Sequence, residues 1–248
     1  MLDLLVVAAH PDDETLIAGP LIAAITERGG SSAILCATNG AAGFFSATAL
    51  NNANQLAQTR QAELRAAAEA LGTNDVRFLG FSDGGSSGEV AAQGLLTANI
   101  DGASARIAEV ILETSPLMIV THPQDDPDGH PDHLAVSRAV SQAVATARAQ
   151  GSEKIQLYFS AFPDSARRKI VRDSTAEQRS HHVRFFDLSL TAPTGCSLEV
   201  PITAAAARRV SAAIRAHASQ ERSLSPLREL IDQGRDDLAL GFNAAYLD

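Results

Sequence analysis

The chain has 248 residues, of which 45% are hydrophobic and 20% are charged, a balance typical of a globular protein of about one domain. Its formal net charge of −9 argues against nucleic acid as a main partner, because phosphate binding needs a basic face. An aromatic fraction of 4% without tryptophan excludes a carbohydrate platform of stacked indoles, and no apolar run approaches the ~18 residues that span a bilayer.

Short apolar runs alternate with longer segments of helical period, which predicts an α/β fold with a mainly parallel sheet and helices on both faces. The predicted strands are Leu2–Ala9, Ser32–Thr38, Val76–Leu79, Leu117–Thr121 and Ile155–Ser160. The predicted helices are Thr15–Arg28, Gln55–Leu71, Asn99–Thr114 and Pro131–Gln150. In such a sheet we expect the ligand beyond the carboxyl ends of the strands, near the point where the strand order reverses.

The pattern weakens after residue 160. A locally basic stretch at residues 167–184 leads into a predicted strand at Val183–Leu188, and an alanine-rich helix follows at about Thr203–His217. We expect a single domain over residues 1–248, with a core of residues 1–160 and a C-terminal extension of residues 161–248 packed on it. The acidic start of the chain differs from a signal peptide and favours a cytoplasmic location.

The loop after the first strand carries an imidazole and three carboxylates, at His10, Asp12, Asp13 and Glu14. A dinucleotide-binding turn would have glycines here, whereas these side chains repel phosphate and attract a cation. His10 and Asp13 are three residues apart at the start of a helix, so their side chains are expected to converge, and together they suit Zn²⁺ or another first-row divalent ion. The alternative is that the carboxylates only cap the helix and complement its dipole.

The loop after the fourth strand carries His130, Asp132 and His133, and Pro131 is well placed as the first residue of the next helix. The two histidines are then expected to lie one turn apart on the same side of the helix, where such a pair can supply one metal ligand and one group that faces a substrate. A calcium loop is excluded because its twelfth position would be Ala135 instead of glutamate. A solvated acidic loop is the alternative, but both loops follow strands at the same edge of the sheet, which favours one shared site.

At these residues the chain resembles the PIG-L (LmbE-like) de-N-acetylase family, whose two signatures are an A-H-P-D-D-E loop and an H-P-D-H loop. Both are present, at residues 9–14 and 130–133. Weaker similarity extends to Thr59-Arg60-x-x-Glu63, to Leu79-Gly80-Phe81 with Asp83, and to His217-x-Ser219-Gln220. The resemblance implies a Rossmann-like sheet, a mononuclear zinc site and hydrolysis of an acetamide, typically on an N-acetylglucosamine unit of a small glycoside.

The same resemblance implies a division of roles within the site. The metal ligands would be His10, Asp13 and His133. Asp12 would be the general base, and His130, steered by Asp132, would stabilise the oxyanion and assist the leaving amine. Three protein ligands leave one coordination position open for water, as in catalytic zinc sites. The set of two histidines and one carboxylate also fits Fe²⁺.

Several other residues have two interpretations. His122 is either a competing metal ligand or a residue with a supporting or structural role, and the second interpretation is favoured. Arg60 either forms a surface ion pair with Glu63 or contacts a substrate hydroxyl or phosphate. Asp83 either binds sugar hydroxyls or stabilises a turn. His217 is expected to be a solvated helix residue.

Three further patterns limit the chemistry. Some family members place a tyrosine before the H-P-D-H loop, where this chain has Asp128-Gly129, and a tyrosine-assisted step is therefore in doubt. The run Gly84–Gly88 matches the G-x-S-x-G pattern of serine hydrolases but lacks the immediate strand, turn and helix of a nucleophile elbow. Cys36 lies in a strand-like run and is expected to be a small core residue.

We therefore expect an enzyme, a zinc-dependent hydrolase that removes acetyl from an N-acetylated amino sugar. One alternative is an amidase that cuts a larger thiol-sugar conjugate, and another is a metal-binding relative without turnover. The expected partner is a small N-acetylated amino-sugar substrate, with no nucleic acid and no membrane span. The sequence leaves a homo-oligomer open.

Overall fold

The structure is a computed structural model that describes residues 1–43, 52–85, 95–125, 129–161, 172, 198–232, 234 and 245–247. The strands in this part of the chain are β1 (Leu4–Ala8), β2 (Ser32–Thr38), β3 (Asp75–Phe81), β4 (Met118–Thr121), β5 (Gln156–Ala161), β6 (Leu198–Glu199) and β7 (Ala245–Leu247). The helices are α1 (Asp13–Glu27), α2 (Ala53–Leu71), α3 (Ile100–Thr114), α4 (Pro131–Ala149), α5 (Ala204–Ala216) and α6 (Glu221–Asp232), with a 3₁₀ turn at Ala218–Gln220.

These strands form one sheet in the order β3-β2-β1-β4-β5-β7-β6. The first five strands run parallel, while β7 is antiparallel to both β5 and β6. The chain moves outward from β1 through β2 to β3 and then returns to the other side of β1 with β4, so the strand order reverses between β1 and β4. The loops that follow these two strands therefore begin side by side, at the place where ligands bind in open α/β sheets.

The centre of the sheet is covered on both faces. All five residues of β1 are buried, and alternate side chains enter two separate cores. Leu4 and Val6 pack in the core that includes residues of α1, α2, α5 and α6, whereas Leu5 and Val7 pack in the core that includes residues of α3 and α4. This burial on both faces explains why the first strand is a continuous apolar run instead of an alternating one.

The predicted α/β fold with a mainly parallel sheet is confirmed, and the ends of the predicted elements differ by at most two residues in the described part of the chain. Helix α2 ends at Gly72, whose φ of 100° is the left-handed conformation that glycine adopts without strain. The sequence did not predict β6, β7 or α6. Strands of two and three residues are too short to carry an alternating pattern.

The described C-terminal elements pack on the same layers. Helix α5 contacts α1 and α2, and β7 extends the sheet beyond β5. The division into a core and an extension stays a prediction. Cys36 is fully buried, as expected of a small core residue. Within the described residues, no helix is both long and apolar enough to cross a membrane.

Some sequence predictions fall outside the described residues. They are the strand at Val183–Leu188, the two serines of the G-x-S-x-G pattern and Asp128. The basic stretch at residues 167–184 also lies outside the described residues, with the exception of Arg172.

Candidate functional site

The two loops singled out by the sequence meet at the carboxyl edge of the sheet. The first leaves β1 and enters α1 at Asp13. The second leaves β4 and enters α4 at Pro131, with His130 as the capping residue. Because β1 and β4 are neighbours, side chains as far apart in sequence as His10 and Asp132 come into contact in one buried cluster.

One oxygen, Oδ2 of Asp13, lies at the centre of this cluster. It accepts a hydrogen bond of 2.7 Å from the backbone N–H of His10 and lies 3.1 Å from Nδ1 of the same residue. It also lies 3.5 Å from Nε2 of His133 and 3.4 Å from Nε2 of His122. Burial raises the pKa of Asp13, but the surrounding imidazoles outweigh burial and hold the pKa well below its usual value.

Two of the three distances among the predicted metal ligands fit a tetrahedral ion. Bonds of about 2.0–2.1 Å place two ligand atoms of such an ion roughly 3.4 Å apart. The distances from Oδ2 of Asp13 to Nδ1 of His10 and to Nε2 of His133, 3.1 and 3.5 Å, bracket that value. Nitrogens of His10, His130 and His133 also lie within 4.8 Å of one another. This donor set fits zinc or another first-row divalent cation.

His10 is supported by two carboxylates on its other side. Its Nε2 lies 3.2 Å from Oδ2 of Asp132 and 3.5 Å from Oδ1 of Asp83. An imidazole that donates Nε2–H to a carboxylate keeps the Nδ1 lone pair available for a cation. Burial lowers the pKa of His10, but its contacts with Asp13 and Asp132 raise it to about 9, which reflects the negative potential of the site.

His130 and Asp132 are linked through the backbone. The N–H of Asp132 donates to Nδ1 of His130 over 3.2 Å, which places the proton of a neutral imidazole on Nε2. Burial, together with the charges of His10 and His133, lowers the pKa of His130 to about 4. The buried carboxylate of Asp132 accepts a 2.9 Å hydrogen bond from the N–H of Gly84 in addition to contacting His10. Asp132 thus contacts His130 through its main chain and His10 through its side chain.

The carboxylate of Asp12 lies beside the cluster and is held by Arg60. The guanidinium is 3% exposed and donates over 2.9 Å to Oδ1 of Asp12. It also donates to the carbonyl oxygens of Pro11 and Gly40, at 3.2 and 2.9 Å. Burial raises the pKa of Asp12, and Arg60 offsets only part of that rise, so the pKa lies above its usual value.

Asp83 and His122 contact the predicted metal ligands His10 and Asp13, respectively. Asp83 is buried and accepts the N–H groups of Gly85 and Ala42 at 2.9 and 3.2 Å, as its turn interpretation predicts. A contact of Asp83 with a sugar stays a prediction. Nε2 of His122 accepts a 3.0 Å hydrogen bond from the backbone N–H of Ala9, as the supporting role predicts. Ligand atoms of His122, Asp13 and His133 also lie within 4.8 Å of one another, so His122 stays a candidate metal ligand.

The prediction that His217 is solvated is wrong. His217 and Glu14 are both 0% exposed, and Nε2 of His217 lies 2.8 Å from Oε1 of Glu14. Burial lowers the pKa of His217, but Glu14 and Asp12 outweigh burial and raise the pKa above its usual value. The sequence places Glu14 in the first loop but does not indicate its partner, for which the only signal is the His217-x-Ser219-Gln220 similarity.

Of the two interpretations of Arg60, the surface ion pair with Glu63 is wrong. Arg60 is buried against Asp12, whereas the carboxylate of Glu63 accepts the backbone N–H and the hydroxyl of Ser219, each at 2.7 Å. Successive turns of α2 therefore face two different parts of the chain. A contact of Arg60 with a substrate stays a prediction.

The chain matches the profile of the PIG-L family, described as GlcNAc-PI de-N-acetylase, over residues 5–144, which is more than half of its length. The chain belongs to this family. Both loops that carry the predicted metal ligands lie inside the matched region of this PIG-L protein, whereas His217 lies beyond it.

Three relatives share the name 1D-myo-inositol 2-acetamido-2-deoxy-alpha-D-glucopyranoside deacetylase. The protein of Geodermatophilus obscurus is 33% identical over 88% of this chain and 82% of its own length. That of Acidothermus cellulolyticus is 32% identical over 88% of this chain and 79% of its own length. That of Kineococcus radiotolerans is 35% identical over 60% of this chain and 46% of its own length.

Solved structures share the fold at lower identity. N,N'-diacetylchitobiose deacetylase of Pyrococcus horikoshii has a TM-score of 0.62 at 16% identity, covering 98% of this chain and 82% of its own. The zinc inhibited form of teicoplanin deacetylase Orf2 has a TM-score of 0.63 at 17% identity, covering 98% and 96%. GalB of Pseudomonas putida, a 4-carboxy-2-hydroxymuconate hydratase, has a TM-score of 0.64 at 23% identity, covering 94% and 86%. The shared fold therefore does not by itself determine the reaction.

Proposed function

We propose that the chain is a metal-dependent N-deacetylase that hydrolyses the acetamide of an N-acetylglucosamine-type glycoside to acetate and a primary amine. The observation that carries the proposal is the buried carboxylate of Asp12 beside the converging side chains of His10, Asp13 and His133. The names of the PIG-L relatives support an acetamido glucoside of myo-inositol as the first substrate to test.

We assign the cation to His10, Asp13 and His133, and we propose zinc, with Fe²⁺ as the second candidate. Teicoplanin deacetylase Orf2 has a form described as zinc inhibited, so Zn²⁺ and Fe²⁺ should be tested separately for activation of this chain. When bound, the cation supplies Lewis acidity, which lowers the pKa of water toward about 7 and polarises a carbonyl.

Asp12 is the proposed general base. Arg60 binds Oδ1, so we assign proton transfer from the attacking water to Oδ2. Burial raises the pKa of Asp12 toward the pH at which the enzyme works. A carboxylate with a higher pKa accepts a proton more readily, so it is a better general base as long as it stays ionised. The same oxygen can return the proton to the departing nitrogen, so that the acetamide C–N bond breaks to give acetate and an amine.

His130 is the proposed oxyanion donor. Because Nδ1 accepts the N–H of Asp132, a neutral His130 carries its proton on Nε2 and can donate it to the carbonyl oxygen as negative charge develops. Removing such a donor typically costs about 10²–10³ in rate. Asp83 and Arg60 remain the predicted contacts to the sugar. The cytoplasmic location stays a prediction, which cell fractionation would test.

The test is to incubate the protein with the inositol glycoside and with simpler N-acetylglucosaminides, and to measure acetate and primary amine in parallel. Chelation should abolish both products, and return of Zn²⁺ or Fe²⁺ should restore them. Asp12→Asn keeps an oxygen for Arg60 and leaves the three ligands in place, so it should retain metal while losing about 10²–10⁴ in rate.

The outcomes separate the alternatives. Amine without acetate from a larger thiol-sugar conjugate would favour the amidase. Full turnover by Asp12→Asn would refute the role of the base. A metal-loaded protein that releases neither product from a broad panel of N-acetyl glycosides would favour the non-enzymatic relative.

A further inference from the structure

Glu14 and His217 are two ionisable side chains that the proposed mechanism does not use, and they are paired with each other. Glu14 and His217 are both 0% exposed, and Nε2 of His217 lies 2.8 Å from Oε1 of Glu14. The hydroxyl of Thr15 also donates to that carboxylate. Such a buried pair is weak support for stability, because desolvation offsets much of the attraction, so another role for it can be sought.

The second oxygen of Glu14 connects this pair to the base. Oε2 accepts a 3.1 Å hydrogen bond from the backbone N–H of Asp12. The same N–H also points at the carbonyl oxygen of His10, 3.0 Å away. The carboxylate of Glu14 therefore contacts both the imidazole of His217, at the end of α5, and the backbone N–H of Asp12, the proposed base.

The backbone of Asp12 needs such a support. Its φ of 155° is positive, and Asp12 is one of two residues other than glycine with a positive φ in the described part of the chain. Non-glycine residues rarely adopt positive φ, and such strained conformations persist only where the surroundings over-determine them. A carboxylate clamped by His217 is suited to hold the amide in this orientation, because it cannot rotate away without leaving the imidazole unpaired.

The segment that carries His217 is itself fixed to α2. Glu63 of that helix accepts the N–H and the hydroxyl of Ser219 at 2.7 Å each. Arg60, one turn earlier on α2, binds the side chain of Asp12. Helix α2 therefore supports Asp12 in two ways. Arg60 binds the carboxylate of Asp12 directly. Glu63 binds Ser219 and so fixes the segment of His217, which in turn pairs with Glu14.

We propose that Glu14 and His217 are positioning residues, with His217 fixing Glu14 so that Glu14 holds the Asp12 amide and aims the base at the reacting water. This inference rests on the proposed deacetylase function. It assigns a catalytic purpose to a residue of the C-terminal segment, which lies outside the matched family region.

The experiment compares three variants in the metal-loaded full chain. His217→Leu removes the donor and should lower kcat per bound metal by about 10- to 100-fold, since small misplacements of a catalytic group have effects of that size. KM and metal content should stay near those of the wild type, because His217 is 0% exposed and is not one of the proposed metal ligands. His217→Gln presents an amide N–H near the place of Nε2 and should recover most of the lost kcat.

Ile214→Ala is the matched control. Ile214 is a buried residue of the same helix and packs in the apolar core, so its truncation loosens α5 without touching the hydrogen bonds of Glu14. It should lower the melting temperature while leaving kcat per bound metal unchanged. Equal losses of kcat in His217→Leu and Ile214→Ala would overturn the proposal, as would an unchanged kcat in His217→Leu.

Glu14→Met tests the same link if His217→Leu does not fold. Methionine keeps most of the length of the side chain but has no oxygen to accept a hydrogen bond from the Asp12 amide or to pair with His217, so kcat should fall here as well. A wild-type kcat in Glu14→Met would overturn the proposal.

Hydrogen exchange of the Asp12 amide separates this inference from the proposed function. Exchange measured by NMR without substrate should be faster in His217→Leu than in the wild type, and unchanged in Ile214→Ala. Failure of the wild type to release acetate would refute the deacetylase. Unchanged exchange in His217→Leu would refute the positioning link, whatever the activity.

Discussion

Replacing Arg60 by methionine would test how the general base is held. The substitution keeps most of the length of the side chain but removes its charge and its hydrogen bonds to Asp12, Pro11 and Gly40. Arg60 is only 3% exposed, so water cannot easily replace these bonds.

The expected loss of stability is large for one side chain. Removing one partner of a buried ion pair costs about 3–5 kcal/mol, because the remaining charge is left without compensation. In Arg60→Met, Asp12 and Asp83 both lose a neighbouring cation, at 2.9 and 3.6 Å. For a chain of this size the loss corresponds to a fall in melting temperature of about 6–20 °C.

The same substitution should change the pH dependence of activity. Burial already raises the pKa of Asp12, and Arg60 lowers it. Without Arg60 the pKa rises further, and the base is protonated over a wider acid range. The acid limb of the kcat/KM profile should therefore move to higher pH, which is measured by acetate release across a pH series.

Arg77→Met is the matched control. Arg77 forms ion pairs with Asp75 and Glu113 at 2.9 Å each, but its side chain is 29% exposed and lies on β3. We expect a loss of about 0.2–1 kcal/mol and no change in the pH profile. The reasoning is refuted if the acid limb of Arg60→Met stays in place, or if its loss of stability is no larger than that of Arg77→Met.

Two further predictions concern His217 and Asp132. Folding raises the pKa of His217, so its contribution to stability is complete below the unfolded value of 6.5 and is lost as the pH rises through the folded value. In urea titrations the free energies of unfolding of wild type and His217→Gln should therefore converge as the pH rises above neutrality, and a constant difference would contradict this. Asp132→Asn weakens the support of His10 and should reduce metal affinity about 10–100-fold in chelator competition; an unchanged affinity would argue against that support.

Local sequence was sufficient for the two halves of the site. A buried apolar strand followed at once by His10 and Asp13 can only place them at the carboxyl end of that strand and the start of the next helix. For His130 and His133 the local signal is Pro131, which starts α4 and so places both histidines at the beginning of that helix. These are short-range consequences of strand and helix geometry, so they could be predicted without knowing the fold.

The sequence also identified the polar residues near the site but not their partners. Arg60 and Glu63 at a spacing of three residues look like a surface pair, yet one binds Asp12 and the other binds Ser219. His217 follows an alanine-rich helix and looks solvated, yet it is fully buried. Sequence periodicity indicates burial through apolar residues, and it gives no signal for a polar side chain that is buried against a partner from a distant segment.

The sequence by itself determined the parallel α/β class, the positions of its main strands and helices, and the two loops that carry the predicted metal ligands, because each follows from apolar periodicity and nearby turn chemistry. Only the tertiary structure decided that β1 and β4 are neighbours, that Asp132 supports His10, and that Glu14 is paired with His217. Those contacts join residues more than one hundred positions apart, and they form because the order of strands and the packing of α5 bring their hydrogen-bonding groups together away from water.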